Sequence, residues 1–401
     1  MAQLALLGAG FIARFYADSI QSLRSKDRIC TVYARRAESA EKLVRDYGVP
    51  RYSTSIEDVV NDPEADAVII ALPNHLHEAA VEACVRAKKA VLCTKPLGRN
   101  AAEALRMLRA VENAGIFHGY LEDLLYTPKT RKAISDVASG ALGKILWTRS
   151  REAHPGPHSD WFWDKETAGG GAIIDLACHC IEIGRGYIGK DIRPLEVMCW
   201  ADTLVKPIDA EDNAIGLVRF ENGAVSQFEV SWTFRGGLDL RDEVMGSAGT
   251  VWINNFLRTG FEMYSSGEGN TYVAEKAESN EGWLFPVGDE VHELGYRHMF
   301  TDMFDSMERG TEPGETFYDG YIVNAVMDAA YQSVRSKKWE PVVLDVWRGK
   351  TSVEKDNLFR DYDEHHYLIK EELTHYGTVK VILKNKLTGE IVEQEKPADD
   401  R

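Results

Sequence analysis

The chain has 401 residues, 44% hydrophobic and 10% aromatic, which is ordinary usage for a globular protein large enough to form two domains. Its formal net charge of -16 argues against nucleic-acid partners, whose affinity depends on phosphate neutralisation, and favours a small neutral ligand or an aromatic glycoside. No secretory signal or membrane span is predicted, and six scattered cysteines lead us to expect reduced thiols in a cytoplasmic protein.

The first predicted elements form a nucleotide-binding turn. Leu4–Leu7 is predicted to be a short buried strand, and Gly8–Ala13 has the GxGxxA pattern. Gly8 allows the tight turn, Gly10 leaves room for a pyrophosphate, and Ala13 lets the next helix approach the sheet. An ordinary strand-to-helix turn is the alternative, but the βαβ spacing that follows favours a dinucleotide. The cofactor-binding residues predicted here are Gly8, Gly10, Phe11, Ile12 and Ala13.

The second strand, Ile29–Tyr33, bears on the choice between NAD and NADP. An acidic residue at its end would hold the ribose hydroxyls of NAD, but Arg35 and Arg36 stand there instead. Guanidinium groups suit a 2′-phosphate or stacking on adenine, although arginines at a strand end are often only solvated surface. We expect both arginines to bind the cofactor. The cofactor is NAD or NADP, and its tight binding is left open.

Strand and helix signals alternate as far as residue 122, which predicts a doubly wound parallel sheet. Lys95 is the most informative position in this part. It follows the apolar run Ala90–Cys93 and precedes Pro96, so its amine lies at the carboxyl end of a buried strand, where ligand crevices form. We therefore expect Lys95 to be both catalytic and close to the cofactor, and Thr94 beside it to contact the cofactor.

After Gly143 the pattern changes to a long helix near Gly171–Tyr187 and then to alternating strands such as Ala214–Phe220. The predicted fold class is α/β, with a Rossmann domain over 1–122 and an α+β domain over 123–345 whose open sheet is mostly antiparallel. Residues 346–401 form an extension with a predicted β-hairpin. An isolated hairpin is marginally stable, so we expect it to join another sheet or a second subunit of a homo-oligomer.

Asp175 and His179 stand four residues apart in the predicted helix and thus on one face. An imidazole can accept a proton near neutrality, and a carboxylate can orient it or bind a substrate hydroxyl, but a helix-surface pair or a buried histidine is an equally good interpretation. Cys178 and Cys180 flank His179, but adjacent helical residues diverge, so no metal site is predicted.

Substrate contacts are predicted in the aromatic stretch His154–Trp163, which should lie over the cleft. Flat aromatic faces suit sugar C–H surfaces or an aglycone ring, and His and Asp side chains can bind hydroxyls. The alternative is a loop that its own tryptophans hold against the domain. Further substrate-binding residues are predicted directly after the last Rossmann strand and beyond this stretch. The full set is Glu122, Tyr126, His154, His158, Trp161, Trp163 and Arg235.

In this order the GxGxxA turn, Leu72-Pro73-Asn74 with His77, Lys95-Pro96 and the GGGxxxDxxxH run that ends at His179 resemble the Gfo/Idh/MocA oxidoreductase family over about residues 3–345. The resemblance implies a Rossmann domain, a C-terminal α/β domain and oxidation of a secondary alcohol of a pyranose or polyol by nicotinamide. It implies that Lys95, Asp175 and His179 converge on the substrate. It adds Leu72, Asn74 and His77 to the cofactor-binding residues.

Two departures from the family pattern concern its catalytic motifs. The family usually has glutamate where Thr94 stands, and commonly has glycine and aspartate where Ala177 and Glu182 stand. The segment Thr94–Arg99 and the aromatic loop are similar to the C-glycoside 3-oxidase subgroup, which implies oxidation of glucose C3 in a C-glycoside. An inositol or polyol dehydrogenase, an NAD-dependent glycosidase that uses transient oxidation, and a non-catalytic dinucleotide sensor remain alternatives.

Overall fold

The computed structural model describes residues 2–23, 26–256, 262–266, 281–285, 288–353 and 357–397. They belong to two compact units, of which the first ends at Val353. Among the helices of the described residues, none has the length and hydropathy needed to cross a membrane.

The N-terminal part of the first unit is a six-stranded parallel sheet with the strand order β3-β2-β1-β4-β5-β6. This is the doubly wound order with a switch point beside the first strand. Its elements are β1 Gln3–Leu7, α1 Phe11–Asp18, β2 Arg28–Tyr33, α2 Ala37–Tyr47, β3 Arg51–Ser53, α3 Ile56–Val60, β4 Ala67–Ile70, α4 His77–Ala87, β5 Ala90–Thr94, α5 Ala101–Ala114 and β6 His118–Leu121.

Apolar side chains cover both faces of this sheet. In β1, Leu4 and Leu6 pack into one hydrophobic cluster, whereas Ala5 and Leu7 pack into another, and all four are fully buried. A strand that is buried on both faces has a continuous apolar sequence rather than an alternating one. The short apolar runs therefore predicted these central strands correctly, and the predicted Rossmann sheet is confirmed.

The second sheet has seven strands in the order β12-β11-β7-β10-β9-β8-β15, and only the β7–β10 pair is parallel. The predicted mostly antiparallel sheet is thus confirmed. The elements from residue 128 to residue 341 are α6 Pro128–Ala138, β7 Ile145–Ala153, α7 Lys165–Ala168, α8 Cys178–Ile188, β8 Pro194–Asp202, β9 Asn213–Phe220, β10 Val225–Ser231, β11 Asp239–Gly246, β12 Thr250–Asn254, β13 Met263–Ser266, β14 Glu281–Leu284, α9 Glu290–Glu293, α10 Tyr296–Arg309, α11 Phe317–Ser336 and β15 Glu340–Pro341.

One face of the second sheet is covered by helices, with α8 against β7 and β10 and α11 against β8. The strands alternate accordingly: in β9 Ala214 and Val218 are buried, whereas Ile215 is exposed. The long helix expected near Gly171–Tyr187 instead begins as a π-helical turn over Ile173–Ala177 and continues as α8. The turn contains Asp175, and π-helical turns are frequent at functional sites.

The second unit is a four-stranded antiparallel sheet with the order β16-β17-β18-β19. Its strands are β16 Arg360–Asp361, β17 His366–Leu373, β18 Thr378–Asn385 and β19 Ile391–Pro397. Val379, Val381 and Leu383 of β18 form its small buried cluster. The two strands predicted for the C-terminal hairpin thus pair within a larger sheet.

Candidate active site

A cavity of about 800 Å³ lies at the carboxyl ends of β1, β2, β4 and β5. It extends from the turn after β1 to Asp175 and His179, beside the second sheet. Open α/β sheets bind their ligands at this edge, next to the point where the strand order reverses. The position of the cavity therefore follows from the topology.

The GxGxxA turn forms one wall of the cavity. Gly8 has φ +128°, and a Cβ at this position would lie 2.2 Å from the Ala71 carbonyl oxygen, so only glycine fits. A Cβ on Gly10 would meet nothing within 4 Å, and no side chain caps the start of α1 there. The first amides of α1 therefore remain available for an anion, as dinucleotide binding requires. Ala13 is fully buried, whereas Phe11 and Ile12 line the cavity.

The end of β2 forms the opposite rim. Arg35 and Arg36 are exposed and line the cavity with Tyr33, Ala34 and Ser39. Neither arginine forms an ion pair with another described residue. Among the described residues that line the cavity at this strand end, none is a carboxylate that could accept hydrogen bonds from ribose hydroxyls. The two guanidinium groups make this rim positive and attract an anionic group.

Of the residues after β4, Leu72 and Asn74 line the cavity, and Asn74 also donates to the Ala168 carbonyl at 2.8 Å. His77 is not a lining residue. Its ring nitrogens lie 2.9 Å from the Leu72 carbonyl oxygen and 3.1 Å from the Pro96 carbonyl oxygen, and its side chain is buried. His77 thus connects the loops after β4 and β5 from a buried position outside the cavity lining.

Lys95 directs its amine toward the π-helical turn. Its Nζ donates to the Asp175 carbonyl oxygen at 2.7 Å and to Asp175 Oδ1 at 3.0 Å. Burial opposes the charge, but the fields of Asp175, Cys178 and Glu152 raise the Lys95 pKa well above its ordinary value, so the amine remains protonated. Thr94 also lines the cavity, and its Oγ1 accepts a hydrogen bond from the Tyr16 hydroxyl at 2.8 Å.

His179 pairs with Glu122 rather than with a group on its own helix. Its Nδ1 forms a short hydrogen bond with Glu122 Oε1, and both side chains are buried. Burial, reinforced by Lys95, lowers the His179 pKa to about 3, and burial raises the Glu122 pKa to about 8. The Glu122 contact fixes the imidazole through Nδ1. Glu122 was predicted to bind substrate, but it lies behind His179 and does not line the cavity.

The carboxylate of Asp175 connects the two sheets. One oxygen accepts from Lys95, and the other accepts from Trp232 Nε1 at 3.0 Å. The structure thus brings Lys95, Asp175 and His179 to one cavity, as the family resemblance implies. The four-residue spacing of Asp175 and His179 suggested a mutual contact, whereas the Asp175 side chain hydrogen-bonds to Lys95 and the His179 side chain to Glu122, both distant in sequence.

The predicted substrate loop lies partly over the cavity. His154, His158 and Trp161 line it, and the His158 ring lies 4.8 Å from the Phe11 ring. Trp161 stacks on Phe162 at a centroid distance of 3.7 Å. These aromatic faces are therefore adjacent to the nucleotide turn.

Three other predicted substrate residues do not line the cavity. Trp163 packs edge-on against Trp232, which matches the alternative of a loop held by its own tryptophans. The buried Tyr126 donates its hydroxyl to Asp302 at 2.7 Å. Arg235 is exposed in the loop after β10. The structure thus places these three side chains outside the cavity lining.

Sequence reasoning missed two carboxyl groups that line the cavity, Asp123 and Glu152. Asp123 follows Glu122 directly after β6, and burial raises its pKa to about 6. Glu152 is the last of three buried polar residues that alternate along β7 after Thr148 and Ser150. The sequence carries no signal for Glu152, because Arg149 and Arg151 alternate with these residues and make both faces of the strand polar. Tyr296, at the start of α10, also lines the cavity.

Two clusters in the described part of the chain have the composition of a metal site. The first is Glu122 with Cys178 and His179, where the histidine is already paired with the carboxyl group. The second is Glu182, Glu315 and Asp319, where Lys190 Nζ lies 3.0 Å from Glu182 Oε1 and 3.3 Å from Asp319 Oδ1. In the second cluster an ammonium group already supplies the positive charge.

Comparison with known proteins agrees with this geometry. Residues 2–119 match the oxidoreductase family NAD-binding Rossmann fold, and residues 130–252 match the GFO/IDH/MocA C-terminal domain. Levoglucosan dehydrogenase of Pseudarthrobacter phenanthrenivorans is 27% identical over 76% of this chain and 87% of its own length. Myo-inositol 2-dehydrogenase of Thermotoga maritima is 27% identical over 84% of this chain and 97% of its own.

Among solved structures, GenD2 from gentamicin A biosynthesis in complex with NAD is 28% identical and superposes with a TM-score of 0.80. The match covers 86% of this chain and 97% of GenD2. Both halves of the first unit therefore have counterparts in known oxidoreductases, in the order in which they occur here. The chain belongs to the Gfo/Idh/MocA oxidoreductase family.

Proposed function

We propose that this protein oxidises a secondary hydroxyl of a sugar or glycoside, with NAD or NADP as the hydride acceptor. The observation that carries the proposal is the convergence of Lys95, Asp175 and His179 on the cavity that the GxGxxA turn borders. An alcohol oxidation needs a proton acceptor and a group that stabilises the developing alkoxide beside the cofactor. The names of two relatives, a levoglucosan dehydrogenase and a myo-inositol 2-dehydrogenase, support this substrate class.

The residues on the cofactor side fit a dinucleotide. Gly8 and Gly10 allow a pyrophosphate to approach the first turn of α1, and Arg35 and Arg36 face the adenosine end. A nicotinamide, when bound, supplies the hydride acceptor. The two arginines support NADP over NAD, and equal affinity for both cofactors would contradict this preference. The absorbance of the purified protein tests whether a reduced cofactor is retained.

His179 is the proposed base. With Nδ1 held by Glu122, Nε2 is the ring nitrogen available for the substrate proton. Lys95 has three N–H donors, two of which point to Asp175. The third N–H can stabilise the substrate oxygen as it loses its proton. Asp175 holds the ammonium group in place, and this division of roles matches the hydrogen bonds of each group.

Lys95→Ala and His179→Ala test these roles. We expect each variant to lower kcat by about 100-fold or more, while the cofactor dissociation constant, measured by calorimetry, changes little. Glu82→Gln, at an exposed position of α4, is the matched control and should retain full activity. Unchanged turnover in both active-site variants would refute the assignment.

The aromatic loop supports a glycoside as the substrate, and C3 of the glucose in a C-glycoside is the specific proposal. Trp161 and His158 offer flat faces at the cavity rim, which suit an aglycone ring. Oxidation of a free polyol without oxidation of any aryl glucoside would favour an inositol or polyol dehydrogenase instead. Release of free sugar without net cofactor reduction would identify a glycosidase, and cofactor binding without turnover would identify a sensor.

We also propose that the protein forms a homo-oligomer. The face of the second sheet opposite α8 exposes Trp200, Ile215, Met245 and Trp252, and an apolar surface of this kind is typical of a subunit interface. Sedimentation of the full chain tests the assembly, and Trp252→Glu should weaken it. A monomer at micromolar concentration would refute this proposal.

The six cysteines bear on the compartment. All six are free and buried in the structure. Free thiols persist in a reducing compartment, and we propose a cytoplasmic location on this basis. Fractionation of the native host would test it.

A further inference from the structure

Glu152 is a buried carboxyl group for which the mechanism proposed above has no role. It stands near the end of β7, opposite Val230 of β10 and Leu240 of β11. It lines the same cavity as Lys95 and His179. The residue is only 7% exposed, and its strand position directs it to the helix-covered face of the second sheet.

Among the described residues, the Glu152 carboxyl group has no hydrogen-bond partner, and its Oε2 is fully buried. The Lys95 ammonium is near enough to act on it through its field, but the two groups form no ion pair, because the hydrogen bonds of Lys95 go to Asp175. A buried carboxyl group without a partner is costly and is rare unless a ligand completes it.

The neighbouring hydroxyl group on the same strand face does not donate to Glu152. Ser150, two residues before Glu152, donates to Asp242 at 2.7 Å instead. The free lone pairs of Glu152 thus border the space where Lys95 and His179 would meet a substrate oxygen. A second hydroxyl on the same small molecule would satisfy them.

We propose that Glu152 binds a second hydroxyl of the substrate, next to the one that Lys95 and His179 act on. The inference rests on the proposed oxidation of a sugar or glycoside and narrows its substrate class to compounds with neighbouring hydroxyls. An analogue that lacks the second hydroxyl would leave Glu152 buried and unpaired. Sites that are built to pair a substrate hydroxyl reject such analogues strongly.

The test compares Glu152→Ala and Glu152→Gln with the unmodified protein. Methyl glucoside and its monodeoxy derivatives serve as ligands, and their dissociation constants are measured by calorimetry on the protein saturated with reduced cofactor. The kinetic constants are measured with oxidised cofactor. Glu82→Gln is the matched control, because Glu82 is exposed on α4, away from both the cavity and the second sheet. Cofactor affinity should be equal in all variants and confirms that they are folded.

We expect Glu152→Ala to weaken binding of the parent glucoside by about 10- to 100-fold, the range for a hydrogen bond to a charged or buried group, and Glu152→Gln to restore most of it. One monodeoxy derivative should bind the unmodified protein as weakly as the parent glucoside binds Glu152→Ala. This derivative should bind Glu152→Ala with nearly the same affinity as it binds the unmodified protein. Unchanged affinity in Glu152→Ala, or equal further losses for every derivative, would overturn the role of Glu152 while leaving the proposed oxidation intact. Failure of the unmodified protein to bind or oxidise any glucoside or polyol would overturn both.

Discussion

Replacement of Glu122 by Gln should change the pH dependence of alcohol oxidation, because Glu122 and His179 share a hydrogen bond in a buried setting. Above its pKa of about 8, Glu122 is a carboxylate that accepts the Nδ1–H of His179. The Nε2 lone pair of His179 then faces the cavity and can take the substrate proton. Below this pKa, a protonated Glu122 donates to Nδ1, so that Nε2 carries the hydrogen and cannot act as a base.

The expected magnitude follows from this titration. In the unmodified protein kcat/KM for oxidation should fall about tenfold per pH unit below about pH 8, and thus by about 100-fold at pH 6. An amide does not titrate, and the His179 pKa is lowered to about 3. The kcat/KM of Glu122→Gln should therefore be nearly independent of pH between about 6 and 9. Its activity at high pH should be about 100-fold lower, because no carboxylate stabilises the imidazolium.

The assay is the initial rate of cofactor reduction across this pH range, with Glu82→Gln as the control. Thermal unfolding provides a second measurement. The Glu122 pKa is raised from its ordinary 4.5, so its contribution to stability is present below about pH 4.5 and is lost as the pH rises through about 8. Glu122→Gln should therefore gain in melting temperature relative to the unmodified protein from about pH 5 to about pH 8. A flat profile in the unmodified protein, or an unchanged slope in the variant, would refute the reasoning.

Two further predictions concern the cofactor side. Gly8→Ala should destabilise the protein by several kcal/mol or prevent folding, because its Cβ would lie 2.2 Å from the Ala71 carbonyl oxygen. Gly48 has φ +65°, and a Cβ there would meet nothing within 4 Å. Gly48→Ala should therefore lower the free energy of unfolding by only about 1 kcal/mol. Equal losses for the two variants in urea unfolding would contradict this reasoning. Arg35→Ala and Arg36→Ala should each weaken NADPH binding by about tenfold and NADH binding much less. Equal losses of affinity for the two cofactors, measured by calorimetry, would indicate that the arginines do not contact a 2′-phosphate.

The first sheet was predictable because its signals are local. The apolar strands β1, β4 and β5 each end at a turn residue, and the sheet order follows from the alternation of strands and helices. The predicted bounds of β1 and β5 were accurate to one residue, since β1 begins at Gln3 rather than at Leu4 and β5 ends at Thr94 rather than at Cys93. Beyond β4, which ends at Ile70, Leu72 has left the ladder and forms part of the cavity wall.

The partners within the site were less predictable because they come from different elements. Asp175 reaches Lys95 across 80 residues of sequence, and His179 reaches Glu122 across 57. Spacing within a helix could not reveal these contacts, and the π-helical turn at Asp175 departs from the α-helical geometry on which that argument depends. Glu152 was missed because a single glutamate in an alternating strand is normally a solvated residue.

The charge balance of the inner cavity favours a neutral substrate. Among the described residues that line this end, Lys95 is the only Lys or Arg side chain, and Asp175 already pairs with it. Asp123 and Glu152 add two further carboxyl groups, and burial raises the pKa of each. An anionic substrate would raise these pKa values further and would find its only nearby cation engaged. Hydroxyl groups, in contrast, can donate to carboxylates and accept from protonated carboxyl groups, so a polyhydroxylated, uncharged molecule suits the inner cavity in either protonation state.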